Sequence, residues 1–311
     1  LLRLAEFSAR SFTELFDGVR ALPWEQFIPK DGAFPVKGHA LHSQLHSVPD
    51  CQSIVKKAVV ERLKSRYHLS WFAETGAKYQ IQFGILRDTA SIYLDTSGPG
   101  LHKRGYRARA NEAPLRETLA AGMVELAHYR GREAVYDPFC GSGTILIEAA
   151  MIAQNRAPGL YRRFAAEAWE SCDAAVWKSL RDEAKGRMFA RDFRLTGTDI
   201  DDGALRTAAS NAAKAGVAQY ITWKHCDVRD WKPVEESGIV ITNPPYGERL
   251  LDVQQAEALY RTLGQVMRRN PGFSSYIISS HAELPRLFGR NPTKRRKLYN
   301  GMIPCEYYMY F

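Results

Sequence analysis

Asn243-Pro244-Pro245-Tyr246 closes the apolar run Ile239-Val240-Ile241-Thr242, placing an amide, two prolines and an aromatic ring at the carboxyl end of an expected buried strand. In open α/β sheets ligands bind at that end. Two successive prolines fix φ near about −65° and remove two backbone donors, so the carbonyls of Asn243 and Pro244 are expected to accept hydrogen bonds from outside the chain. Such acceptors suit the exocyclic amino group of a nucleobase. Holding its hydrogens draws the nitrogen toward a reactive pyramidal geometry and aims it for in-line attack, while Tyr246 offers a plane on which the base stacks. Taken alone, the four residues are equally well read as a proline-terminated strand and a turn.

Upstream, Val135-Tyr136-Asp137 leads through Pro138-Phe139-Cys140-Gly141-Ser142-Gly143-Thr144 into the apolar helix Ile145 to Ala153, the order strand, glycine turn, helix. Gly141 and Gly143 let backbone amides approach a ligand, and the helix N-terminus favours its carboxylate or phosphate. Asp137 at the strand end suits a positive group, which points away from a dinucleotide and toward a zwitterion with an amino group. A second strand, Leu195 to Asp201, places Asp199 for ribose hydroxyls; a third, Ile221 to Asp227, places Asp227 for an adenine amino group. Between them runs a crossover helix over 204–212, ended by Ala215-Gly216. One acid at a strand end is commonly a cap or turn residue. Four successive strand ends bearing Asp137, Asp199, Asp227 and Asn243 form a pattern that turns do not explain.

These groups need a sheet to position them, and a smaller module precedes it. Ser11-Phe12-Thr13-Glu14 opens a capped helix, Phe34 to Ala40 reads as a strand, and Cys51 to Tyr67 is an amphipathic helix with Val55, Val59 and Leu63 on one stripe. Its cations, Lys56 and Lys57 among them, fit a solvated face or a nucleic acid equally. Tyr79 to Leu86 and Ala90 to Asp95 alternate with period two and form a hairpin about Arg87-Asp88-Thr89. A Gly-rich basic connector over 96–112 follows, with Lys103, Arg104, Arg107 and Arg109 interleaved with His102 and Tyr106. It reads as a grip on a phosphate backbone or as a solvated hinge. A helix from Ala113, with Pro114 in its first turn, leads to the glycine turn. Residues 154–194 form a helical insertion bearing Arg162, Arg163, Trp169 and Trp177, and the chain closes with a helix from Glu257 to Arg269, a strand from Ser275 to Ser279, a basic tail (Arg286, Arg290, Lys294, Arg295, Arg296, Lys297) and a last strand from Glu306 to Phe311.

The 311 residues suffice for two domains, and 45% hydrophobic with 25% charged residues is the balance of a globular protein with a sizeable core. Forty-three Lys and Arg against 34 Asp and Glu give a net charge of +9, favouring a polyanionic partner. The five cysteines are scattered, without a C-x-x-C pair or clustered histidines, so neither a disulfide framework nor a zinc site is expected, and a reducing, cytoplasmic setting fits. No run reaches the ~18 apolar residues of a membrane span. The opening Leu1-Leu2-Arg3 lacks an initiator Met, and the chain is expected to be a fragment.

The combination resembles the THUMP-domain, class I S-adenosylmethionine-dependent RNA methyltransferases, and in particular is similar to bacterial enzymes that form N2-methylguanine in large-subunit ribosomal RNA. The matching residues are Ser43-Gln44-Leu45-His46-Ser47 with Lys56-Lys57-Ala58, Asp95-Thr96-Ser97-Gly98, Leu101 to Arg107, Ala113 to Ala120, Asp137 to Thr144, Gly197 to Asp201, and Asn243 to Arg249. The resemblance spans essentially the whole chain and implies a Rossmann-like α/β methyltransferase sheet at 113–311, a basic linker at 96–112 and a THUMP RNA-binding domain at 1–95, with the first part of a ferredoxin-like segment missing. It implies S-adenosylmethionine as cofactor. Asp137, Pro138, Phe139, Gly141, Ser142, Gly143 and Thr144 would hold its methionine part, Asp199 its ribose and Asp227 its adenine, with Ile200 packing on the ring. It further implies ribosomal RNA as partner, gripped by Lys56, Lys57, Lys103, Arg104 and Arg107, with a flipped guanine held by Asn243 and the Pro244 carbonyl and stacked on Tyr246. No metal or membrane is implied, and nothing in the sequence speaks to oligomeric state. Cys140 lies in the cofactor turn and is not expected to act as a nucleophile. The same Asn-Pro-Pro-Tyr loop occurs in N6-adenine DNA methyltransferases, which leaves that activity as an alternative beside a non-catalytic RNA-binding protein that keeps the fold.

Overall fold

Strand β1 (Leu2–Ser8) is an element that sequence reasoning did not anticipate. It pairs antiparallel with β4 (Thr89–Leu94), with α1 (Phe12–Arg20), β2 (Val36–Leu41), α2 (Val48–Tyr67) and β3 (Ile81–Leu86) lying between them in the chain. The computed structural model describes residues 1–107, 115–246 and 253–311. Arg109, the expected helix start at Ala113-Pro114 and the Gly247-Glu248-Arg249 end of the Asn-Pro-Pro-Tyr motif lie outside the described residues. Two compact units form, one from Leu1–Gly100 with Arg163–Arg181, the other from Leu101–Arg162 with Asp182–Phe311.

In the first unit the sheet order is β1-β4-β3-β2, with β2 parallel to β3 and the other pairs antiparallel. The Ser11 hydroxyl caps α1 by accepting from the Glu14 amide. Helix α2 begins at Val48, three residues before Cys51, because Pro49 is tolerated in a first helical turn. It buries Cys51, Val55, Ala58, Val59 and Leu63. The β3–β4 hairpin turns on Arg87 and Asp88, both at positive φ (50° and 62°), as a two-residue primed turn requires. The expected insertion supplies part of this unit's core. Trp169 stacks on Tyr79 at 5.0 Å and donates from Nε1 to the Lys78 carbonyl at 3.0 Å, and the Ala166 amide donates to the Thr96 carbonyl. Nearby, in α5 (Ala174–Gly186), Trp177 stacks on Phe164 at 5.4 Å.

The second unit contains α3 (Glu117–Leu126), β5 (Val135–Asp137), α4 (Thr144–Ala153), β6 (Leu195–Asp199), α6 (Asp202–Lys214), β7 (Ile221–His225), β8 (Gly238–Thr242), α7 (Val253–Arg269), β9 (Phe273–Ser279), α8 (Leu284–Phe288), β10 (Lys294–Asn300) and β11 (Ile303–Tyr310). Among the described residues its sheet runs β10-β11-β9-β8-β5-β6-β7, with β11 antiparallel to both neighbours and the rest parallel. Side-chain alternation splits the core into two layers. Val135, Leu195, Ile241, Ile278 and Tyr307 join α3, α4 and α6 on one face, while Tyr136, Val240, Ile277 and Tyr308 join α7 and α8 on the other. The chain reverses its direction of strand addition between β5 and β8. A sheet of this kind opens a crevice at such a point.

Two expectations shift in detail. The third strand stops at His225, and Asp227 instead caps the short 3-10 turn Val228–Asp230 by accepting from the Arg229 amide. The basic tail is ordered: Lys294 to Lys297 begin edge strand β10.

Candidate active site

Asp137 and Asn243 stand at the ends of the two strands that flank the reversal. The Asp137 side chain is buried, and both of its hydrogen bonds converge on Oδ1: the Thr242 hydroxyl donates at 2.7 Å and the Phe139 amide at 3.2 Å. Burial pushes this carboxyl up to about 7 against the two hydrogen bonds, with nearby Asp199 adding to the rise. Among the described residues no cation forms an ion pair with it. Thr242, which sequence reasoning passed over, ties Asp137 to the residue before Asn243. Its signal was a lone hydroxyl ending an Ile-Val-Ile strand.

The glycine turn rests on neighbouring elements. The Gly141 amide donates to Asp199 Oδ2 at 2.9 Å and the Cys140 amide to the Thr198 carbonyl at 3.0 Å, while buried Asn211 of α6 donates to the Ser142 carbonyl at 3.1 Å. Asp199 Oδ1 accepts from the Asp201 amide, so this carboxylate organises the loop from both oxygens. Gly143 (φ +79°) is required by packing, since a Cβ there would lie 2.6 Å from the Trp223 ring. Above Gly141 (φ +51°) a Cβ would meet nothing within 4 Å, so the backbone is open to a ligand. Pro138, Ser142, Gly143 and Thr144 are buried, and Phe139 packs against the α7 side of the core. Burial pushes the Cys140 thiol up, which keeps it protonated and unreactive. Ile200 is 63% exposed beside Asp199, an apolar side chain standing in solvent.

Asp227 differs from Asp137. The Arg229 amide and Nε donate to its Oδ1 and a guanidinium nitrogen to its Oδ2 at 2.6 Å, which holds the carboxyl below its usual range.

The Asn-Pro-Pro-Tyr loop is clamped. The Pro245 carbonyl accepts from the Tyr260 hydroxyl at 2.8 Å, and that hydroxyl also meets Ser279 Oγ at 3.1 Å. Tyr260, a buried tyrosine of α7, is a second residue that sequence reasoning missed. Tyr246 is half-buried against the core, and its hydroxyl donates to Asn243 Oδ1. That oxygen carries two lone pairs, so one remains for another donor. Pro244 is buried.

Of the five cations expected at nucleic acid, Lys57 and Lys103 are exposed and three turn inward. Lys56 bonds Glu74 at 2.5 Å and lies 3.6 Å from the Phe34 ring centroid. Arg104 pairs with buried Glu148 at 3.4 Å, and Tyr106 donates to the same carboxylate. Arg107 pairs with Glu117 and donates to Thr144 Oγ1 at 2.7 Å, at the start of α4. A connector read as a phosphate grip or a solvated hinge thus braces the end of the glycine turn through Arg107. Periodicity could not show this, because the acids Glu117 and Glu148 are distant in sequence. Among the described residues no cluster of three metal-ligating side chains occurs, and no helix is long and apolar enough to cross a membrane.

This arrangement matches known proteins. Residues 104–309 match the family model described as RMKL-like, methyltransferase domain, and residues 9–95 match the THUMP domain model. The chain belongs to the RMKL-like methyltransferase family. It also carries a THUMP domain. Among curated relatives, the Bacillus subtilis protein named "Putative RNA methyltransferase YpsC" is 43% identical over all of this chain and 81% of its own length. The Ribosomal RNA large subunit methyltransferase K/L of Syntrophotalea carbinolica is 37% identical over 98% of this chain, which spans 45% of that longer protein. Among solved structures, SMU.472, a "putative methyltransferase complexed with SAH", aligns with a TM-score of 0.91 and 38% identity over 99% of this chain and 82% of that one. A Listeria monocytogenes protein described as a "predicted N6-adenine-specific DNA methylase" aligns at 0.93 and 42%, over 99% and 81%. In the RMKL-like chain, then, the strand-end groups belong to a methyltransferase fold.

Proposed function

We propose that this RMKL-like protein is an S-adenosylmethionine-dependent RNA methyltransferase that methylates the exocyclic N2 of a guanine in large-subunit ribosomal RNA. The observation that carries the reading is the Asp137–Thr242 bond across the sheet reversal, which sets a buried carboxyl, unpaired with any cation among the described residues, beside the strand end that carries Asn243. S-adenosylmethionine, when bound, supplies a sulfonium-linked methyl group electrophilic enough for a neutral amine. Asp137 suits its ammonium group, because a cation beside a carboxyl raised by burial favours the ionised form. The open backbone at Gly141 and the start of α4 suit its carboxylate, and exposed Ile200 suits the adenine ring. Asp199 and Asp227 offer acceptors to the ribose and the adenine amino group.

Asn243 Oδ1 and the Pro244 carbonyl would hold the hydrogens of the target amine, with Tyr246 alongside. Alignment does most of the work here, since the leaving group needs no acid. The ribosomal RNA assignment draws on the names of the K/L relatives and on the THUMP domain. The name of the Listeria protein favours a second reading, N6-adenine methylation of DNA, on the same acceptor loop.

The deciding experiment is transfer of labelled methyl from S-adenosylmethionine to unmodified large-subunit ribosomal RNA and, separately, to duplex DNA, with the labelled nucleoside identified after digestion. N2-methylguanine from RNA is expected. Label in N6-methyladenine from DNA would overturn the substrate while keeping the site.

A further inference from the structure

Edge strand β10 opens with four consecutive exposed cations, Lys294, Arg295, Arg296 and Lys297. Among the described residues their only strand neighbour is β11, where Arg295, Arg296 and Lys297 face Tyr308, Tyr307 and Glu306. Among those residues, too, none of the four makes an ion pair, in contrast to Lys56, Arg104 and Arg107. Alternation puts Lys294 and Arg296 on one face and Arg295 and Lys297 on the other, so the edge is positive from both sides. The run covers about 10 Å at ~3.3 Å per residue.

The strand leads to the candidate active site. Because β11 runs against β9, the end of β10 and the start of β11 lie at the same end of the sheet as Asn243. The turn there, Gly301-Met302, has Gly301 at φ +66°, and Met302 is 93% exposed. Just before it Tyr299 is 57% exposed, with Lys297 Nζ 5.6 Å from its ring centroid. Asn300 and Cys305 side chains reach the Tyr246 hydroxyl. Cations lead to an exposed aromatic ring and then to the acceptor loop, which is the composition of a single-strand nucleic-acid track.

We propose that the β10–β11 hairpin is the edge that positions RNA for this site: Lys294 to Lys297 hold the phosphate backbone flanking the target nucleotide, and Tyr299 stacks a neighbouring base at the rim. This rests on the RNA-methyltransferase reading above. Charged edge strands also guard sheets against edge-to-edge pairing, and the test separates that role.

The test compares wild type with K294Q/R295Q/R296Q/K297Q and with the charge-keeping R295K/R296K, using an in vitro transcript of large-subunit ribosomal RNA. It measures RNA affinity against salt, methylation kinetics, S-adenosylmethionine affinity and sizing-column behaviour. The quadruple variant should bind RNA at least about ten-fold more weakly and raise KM with little change in kcat. Its salt slope should be shallower by roughly 0.7 for each phosphate that is no longer neutralised. S-adenosylmethionine affinity should be unchanged, and R295K/R296K should stay near wild type. RNA affinity and slope equal to wild type would overturn the inference, as would self-association of the quadruple variant as its only change. Wild-type protein that binds RNA through this edge without methylating it would instead sink the functional reading and uphold the edge.

Discussion

Asp137, ending a central strand of the seven-stranded sheet, and Asp227, in the turn just past edge strand β7, are carboxylates that look alike in sequence and behave in opposite ways. At the centre, Asp137 is buried among neutral donors and its carboxyl is pushed up to about 7. At the edge, Asp227 stands in an arginine fork that holds it below its usual range. The difference teaches where a cation is wanted. A buried acid without a counter-charge gains most from a cationic ligand, whereas one already paired can add only another hydrogen bond.

The largest expected effect is at Asn243, the residue after the central acid's partner Thr242. Asn243→Ala should lower kcat by about 10²–10³-fold while S-adenosylmethionine still binds, measured by single-turnover kinetics and calorimetry. Retained turnover would remove Asn243 from its role and break the assignment of the centre.

Asp137→Asn should weaken S-adenosylmethionine binding by about 10- to 100-fold, the worth of a charge-assisted bond at roughly 1.5–3 kcal/mol. The pH dependence gives this its sign. The folded carboxyl lies above its ordinary 3.8, so its contribution to stability is complete below that value and is lost as pH rises to about 7. Glu148, pushed up to about 7 by burial against Arg104 and Tyr106, acts in the same direction. Wild-type stability should therefore fall from about pH 4 to 7, and Asp137→Asn should flatten that fall by up to about 1.4 kcal/mol per pH unit. Cofactor affinity should rise over the same window in wild type only. A pH-independent wild-type affinity would erase the contrast with Asp227.

Tyr260→Phe removes the hydroxyl shared by Pro245 and Ser279 and should cost roughly 0.5–1.5 kcal/mol of stability, read by denaturant melts, with a kcat loss below about ten-fold. Asp227→Ala should be the mildest, about two- to three-fold in S-adenosylmethionine affinity, because its charge is already answered by Arg229 and partly screened by solvent. An effect as large as that of Asp137→Asn would show that edge and centre do not differ as drawn.

Much of the sheet was legible because its signals are local. Alternation in β3 and β4, the capped start of α1, and the strand, Gly-x-Gly, helix order at Asp137 to Thr144 each depend on neighbours in sequence. Three of the four expected strand-end side chains, Asp137, Asp199 and Asn243, followed from the same logic, whereas Asp227 falls in the turn after its strand. What was not legible depended on distant partners. Trp169 reads as part of an insertion of no evident purpose, yet its ring fills a place beside Tyr79, far upstream in the chain. Arg104 and Arg107 read as part of a phosphate grip or a solvated hinge until Glu148 and Glu117 are brought beside them.

By itself, then, the sequence determined the order of elements, the glycine turn, the acceptor loop and the family to which they belong, because backbone propensity and residue type act over a few positions. Only the tertiary structure decided which charges are spent internally and which face solvent. Among the described residues it left Asp137 without a cation, gave Asp227 one, turned Arg104 and Arg107 inward and set Lys294 to Lys297 along an edge strand. Burial and electrostatic pairing are properties of neighbours in space, and those neighbours are set when the strands add in the order β7-β6-β5-β8-β9-β11-β10.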